Sequence, residues 1–164
     1  MKRVIEVDLS DAGLKSLVRE LRDYEKSLDR KTNECARRLA EMGAVKASLY
    51  FSRAVYTGPE DHTIEVISEG EGCYKVRASG ETVLFVEFGS GLIGYGHPEP
   101  HGLGPGTYPG KGHWNDPSGW WLPRDKNDGH SQHTYGNPPN MPMYSTVKEL
   151  EQELKRVVME VFAE

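Results

Sequence analysis

Five of the six histidines of this 164-residue chain fall in one stretch, at His97, His101, His113, His130 and His133. His97 and His101 have the H-x3-H spacing that, on a helix, turns two imidazoles to one face and toward a metal ion. Pro98 and Pro100 stand between them. Proline lacks the amide donor and fixes φ, so no helix can present that pair. A zinc hydrolase also wants a carboxylate base near the metal, and Glu99 and Asp116 are the nearest ones in the chain. Histidines that hydrogen-bond at a surface or interface account for the same residues. The expectation is no metal, no cofactor and no catalytic set; a metal-dependent hydrolase using His97, His101 and His113 is the alternative.

The other chemical signals in this stretch fail on spacing. Pro109-Gly110-Lys111-Gly112 has a glycine after the lysine where a phosphate-binding loop needs Ser or Thr. Ser90 sits in Phe88-Gly89-Ser90-Gly91-Leu92, so the glycines that a nucleophile elbow needs two residues either side are absent. Trp120 and Trp121, with Tyr108 and Trp114 nearby, can stack on sugar rings as a carbohydrate-binding surface. They can equally fasten a loop to its own sheet or to an adjacent subunit, and packing or subunit contact is the favoured expectation. Only Lys111, Arg124 and Lys126 are basic between residues 97 and 142, too few for stacking on nucleic acid.

The elements that must carry these residues are readable from composition and period. With 37% hydrophobic and 27% charged residues and a net charge of −5, the chain has the composition of one soluble domain and no basic excess for a polyanion. The N-terminus has no apolar block after Lys2 and Arg3, which predicts a cytosolic chain without a secretory signal. The longest aliphatic or aromatic run, Val83 to Val86, falls far short of a membrane span. Cys35 and Cys73 have no close cysteine partner, and both are expected as small buried hydrophobes.

Ile5, Val7 and Leu9 alternate with acidic residues, predicting a short strand over 1–9. Leu14, Leu17, Val18, Leu21, Tyr24 and Leu28 then fall at helical spacings, a stripe that Cys35, Leu39 and Met42 prolong. A helix of that length must bend or reach a neighbour. The weak helix formers Asp29, Thr32 and Asn33 predict a bend there, and Gly43 an end or kink before a further helical segment to Val55. The basic residues Arg30, Lys31, Arg37 and Arg38 alternate with acids, as on a solvated face with ion pairs one turn apart.

After Thr57-Gly58-Pro59, three strands are expected as an antiparallel meander over 62–88: Thr63–Ser68, Cys73–Ser79 and a central, most buried Thr82–Phe88. Glu87 interrupts the last, and a buried carboxylate needs donors; backbone N–H groups of the following glycine-rich loop are the predicted ones. Residues 89–144 show no period and hold 12 of the 18 glycines and nine of the ten prolines. Their aromatics predict an ordered excursion, or one that orders on assembly, rather than a flexible linker. Thr146 reads as the N-cap of a closing amphipathic helix over 145–164, packed on the sheet. The predicted fold is thus one α+β domain, 1–164, with a helical region over 10–56.

The order of these segments resembles the HK97 gp10-like family of tailed-phage morphogenesis proteins. The segments are LVRELRDYEKSLDRKTNECARRLAEMGAVKASLYFSRAVYTGPED, VRASGETVLFVEFGSGLIGYGHP, GPGTYPGKGHW and NPPNMPMYSTVKELEQELKRVVMEVF. Ser79-Gly80-Glu81, the run Phe85 to Gly91, and Met141-Pro142-Met143 are its most specific parts. The resemblance implies a minor virion component in head–tail joining or tail completion, working as a homo-oligomeric ring beside other neck or tail proteins. It implies assembly in the host bacterial cytoplasm, then a place in the virion, with no membrane or nucleic-acid partner. Tyr108, Trp114, Trp120 and Trp121 are then candidate subunit or partner contacts, with Glu87, Gly89, Gly91 and Pro142 as structural residues.

Overall fold

The structure, a computed structural model, describes residues 8–56, 58, 61–96, 116–122 and 131–163. Ile5 and Val7 of the expected first strand lie outside these residues, and Leu9 is exposed in a bend ahead of the first helix.

Helix α1 runs from Asp11 to Ser52, 42 residues, or ~63 Å at the usual rise. Ser10 caps it, its Oγ accepting from the Gly13 amide at 3.2 Å. Gly43 does not end it. The glycine lies where α1 meets two other elements: a β-carbon there would stand 3.0 Å from Leu150 Cδ1 and 3.1 Å from Val76 Cγ2. Its value is the missing side chain, and the expected helix end at Gly43 is corrected. On the solvated face Glu34 takes Arg37 at 2.8 Å and Arg38 at 2.6 Å. Their side-chain hydrogen bonds hold its carboxyl well down, at about 2.

Strands β1 (Thr63–Gly70) and β2 (Cys73–Ser79) form an antiparallel hairpin, Ile64 facing Ala78 and Val66 facing Val76. Tyr74, Val76 and Ala78 are half-buried, while Lys75 and Arg77 face solvent as expected. Asn33 of α1 fastens the turn, its Oδ1 accepting from the Gly72 amide at 2.8 Å and from the Tyr74 hydroxyl at 3.3 Å. Cys35 is buried, but Cys73, at the turn end of β2, is exposed, against the expectation for both.

The expected third strand is a helix. Residues Val83–Phe88 form α2, with Val83, Val86 and Glu87 buried and Leu84 exposed. Those three fall at helical spacing, whereas a strand would have put Glu87 on one face with Val83 and Phe85. Asp61 turns the chain out of the sheet just before it, accepting from the Glu81 amide through Oδ2 and from the Thr82 hydroxyl through its carbonyl, both at 2.9 Å. Gly80, at φ 148°, passes so close that a β-carbon would meet the Asp61 carbonyl oxygen at 2.0 Å.

Helix α4 spans Pro142–Ala163, starting earlier than the Thr146 cap predicts. Proline suits a first helical position because its missing N–H would be unsatisfied there anyway. Thr146 sits inside the helix, its hydroxyl donating to the Pro142 carbonyl at 2.8 Å. Helix α4 packs chiefly along α1 and not, as expected, on the sheet, because its apolar stripe meets that of α1. Val157 and Val161 bury against Cys35, Leu39 and Met42, and Glu149 accepts from both Lys46 Nζ and the Tyr50 hydroxyl. A second cluster joins Phe51, Val83 and Val86 to Ala54, Tyr56, Ile64, Ala78 and Met143. Among the described residues the chain is therefore mixed helix and sheet, its strands forming small antiparallel two-stranded pairings, with α2 where the third strand of the meander is expected.

Candidate interaction site

The described parts of the excursion are locally built. Gly89, at φ 77°, ends α2, and Gly91, at φ 61°, opens the short helix α3 (Gly91–Gly96). Strands β3 (Trp120–Trp121) and β4 (His133–Thr134) pair antiparallel, and β5 (Gly136–Asn137) follows directly. β5 bridges back to the start of α3: Ser90 pairs with Asn137 and Gly91 with Gly136. The Ile93 amide donates to the Tyr135 carbonyl at 3.2 Å, and Asn137 Nδ2 to Ser90 Oγ at 3.3 Å. Gly91 and Gly136 are required by contact as well as by φ. A β-carbon on Gly91 would meet the Trp120 ring at 2.6 Å, and one on Gly136 would meet the Ser90 carbonyl at 1.9 Å.

The tryptophan pair therefore divides its work. Trp120 lies over Gly91 and fastens the β3–β4 pair to α3. Trp121 points the other way and is 65% exposed. Its ring meets His133 edge-on at 5.0 Å, and His133 meets Tyr135 edge-on at 5.0 Å. Tyr135 is itself 49% exposed, so three aromatic side chains line one open surface. Tyr108, Trp114, His97, His101, His113 and His130 lie outside the described residues. Among the described residues no group of three or more His, Cys, Asp or Glu side chains is placed to hold a metal ion, and no helix is long and apolar enough to cross a membrane.

Glu87 anchors this region to the body. It is 7% exposed, and its carboxylate accepts from the backbone amides of Met143 at 2.8 Å and Tyr144 at 3.0 Å. Backbone N–H groups are the donors, as expected, but they belong to the first turn of α4 and not to the following glycine-rich loop. A remote carboxylate thus caps the helix where side-chain caps are usually local. Burial pushes the Glu87 pKa up, with the two amides pulling against it.

Sequence reasoning missed Asn140. Its Oδ1 accepts from the Val55 amide at 2.7 Å, and its Nδ2 donates to the carbonyls of Val55 at 3.1 Å, Pro138 at 3.0 Å and Val86 at 3.4 Å. One amide side chain so ties the chain after α1, the end of α2 and the approach to α4. The next residue, Met141, adopts φ 53°, and its amide donates to the Glu87 carbonyl at 3.1 Å. The one signal in the sequence was Asn140 between two prolines and Met141-Pro142, a run that leaves few backbone amides free to donate. No family model, no curated protein and no solved structure matches the chain.

Proposed function

We propose that the chain is a non-enzymatic structural protein of a tailed phage or prophage, acting in head–tail joining or tail completion as an oligomeric ring. The resemblance of its segments to the HK97 gp10-like family supplies the class. The observation that carries the reading is the Trp121–His133–Tyr135 surface, exposed aromatics held on a short strand pair that Trp120, Gly91 and Gly136 fix against α3. Exposed aromatic rings on a rigid mount are typical anchors of protein interfaces. Ring subunits meet head to tail, so each needs a surface unlike the one it docks on. The chain would work beside other neck or tail proteins, from the host bacterial cytoplasm into the virion.

The test is complementation of a phage or prophage lacking this gene by Trp121→Ala and by the double variant Trp121→Ala/Tyr135→Ala. Infectious titre should fall by at least about a hundredfold while the variant chain stays folded. Full titre with both variants would overturn this surface as the contact. The same surface favours one second reading, a carbohydrate-binding module. Quenching of Trp121 fluorescence by a soluble glycan would support it, and an unchanged spectrum across a glycan panel would remove it.

A further inference from the structure

Leu14, Leu21, Leu28, Cys35 and Met42 recur every seven residues along α1, and Leu17 and Tyr24 fill the intervening positions of the first half. The two halves of this stripe meet different fates. Helix α4 runs antiparallel over the C-terminal half, from the Lys46–Glu149 pair down to Cys35 against Val157 and Val161. It reaches its end where Lys31 Nζ lies 5.8 Å above the Phe162 ring. Beyond that point Leu14, Val18, Leu21, Tyr24 and Leu28 stay 36–47% exposed and, with Arg22, Glu25 and Asp29 alongside, leave an open groove. About 20 residues of helix, ~30 Å, carry an apolar stripe in solvent.

We propose that a second copy of this chain covers this stripe, laying its own α1 antiparallel across Asp11–Lys31 about a twofold axis. The occupant must be a helix of that length with the same seven-residue repeat, and the exposed half of α1 is such a helix; one isologous contact conceals both stripes. With the axis passing between Arg22 and Asp23, Leu21 of one copy meets Tyr24 of the other and Leu17 meets Leu28. Along the groove edge, Lys15 comes beside Asp29 of the other copy and Arg22 beside Glu25. A parallel pair would instead set Lys31 against Lys31 and Glu20 across from Glu25. The antiparallel overlap also stops at Lys31 of each copy, where α4 begins to cover α1, so the partner continues along the line that α4 leaves. The segment is nearly balanced, six basic against five acidic residues. It lacks the lysine- and arginine-rich polar face of a helix that lies on an anionic membrane. This inference concerns α1 alone and does not rest on the phage reading.

The full chain should sediment as a dimer that dissociates on dilution within the micromolar range. Leu21→Asp, at a 46%-exposed position, should weaken pairing by at least about a hundredfold with unchanged helical circular dichroism. Arg22→Glu should weaken it several-fold, and Arg22→Glu/Glu25→Arg should restore it, since the pair is remade with its signs exchanged. Spin labels at Ser16, in a Cys73→Ser background, should lie roughly 20 Å apart along the helix axis if the copies are antiparallel. A monomer up to 100 µM, an oligomer indifferent to Leu21→Asp, no rescue by the double variant, or adjacent Ser16 labels would each overturn the proposal.

Discussion

Removing the Glu87 carboxylate should loosen the joint between α2, the excursion and α4, and the size of the effect follows from its partners. In Glu87→Ala the amides of Met143 and Tyr144, both bonded to this carboxylate, lose their acceptor. An orphaned buried donor costs about 1–3 kcal/mol and a lost helix cap about 1 kcal/mol, so the pair of losses comes to about 3 kcal/mol. For a chain of this size that is a fall in Tm of about 6–12 °C. Glu87→Gln keeps one acceptor but turns an amide NH2 toward the other N–H, and should lose about half as much. The pH dependence has a definite sign. Because burial raises the Glu87 pKa above its usual 4.5, the folded chain holds a proton that the unfolded chain has released. Stability from this residue is therefore full below pH 4.5 and declines as pH rises through the raised value. The margin of wild type over Glu87→Gln should shrink across that window. Thermal melts followed at 222 nm between pH 4 and 8 measure it, with exposed Glu81→Ala as a control that should stay within about 0.5 kcal/mol. A Glu87→Ala melt within 1 °C of wild type would refute the capping role, and a margin that grows with pH would refute the dominance of burial over the two amide bonds.

Other substitutions test the remaining joints. Asn140→Ala removes one acceptor and three donated bonds that tie the chain after α1 to α2 and to the entry of α4; urea unfolding should show a loss of about 2–3 kcal/mol. Gly43→Leu should destabilise by about 3 kcal/mol in the same assay, since even a β-carbon there would crowd Leu150 and Val76. Val157→Ala, at 2% exposure against Cys35, should cost about 2 kcal/mol. Trp121→Ala should leave the melt within about 1 °C, while Trp120→Ala lowers it, because only Trp120 packs on α3.

The parts legible in the sequence are those set by local pattern. The period of Leu14 to Met42 gave α1, the alternation of Tyr74, Val76 and Ala78 gave the buried face of β2, and the Glu34, Arg37 and Arg38 spacing gave the ion pairs. A six-residue apolar run such as Val83–Phe88 suits a buried strand or a short helix equally. Its choice was made by a partner 56 residues on, the start of α4, which supplies the donors for Glu87. Asn140 and Gly43 were opaque for the same reason: their roles depend on elements distant in the chain. The split of Trp120 from Trp121 needed a strand, which turns neighbours to opposite faces, where the composition predicted only an excursion. Likewise the stripe on α1 announced an apolar face, but not that α4 would cover only half of it.

Quantitative mass spectrometry of gradient-purified phage particles tests the proposed assembly role most directly. The chain should be present at a fixed copy number matching a ring beside the portal and tail proteins, and missing from particles made with the Trp121→Ala/Tyr135→Ala variant. Its absence from complete, infectious wild-type particles would contradict a structural place in the virion.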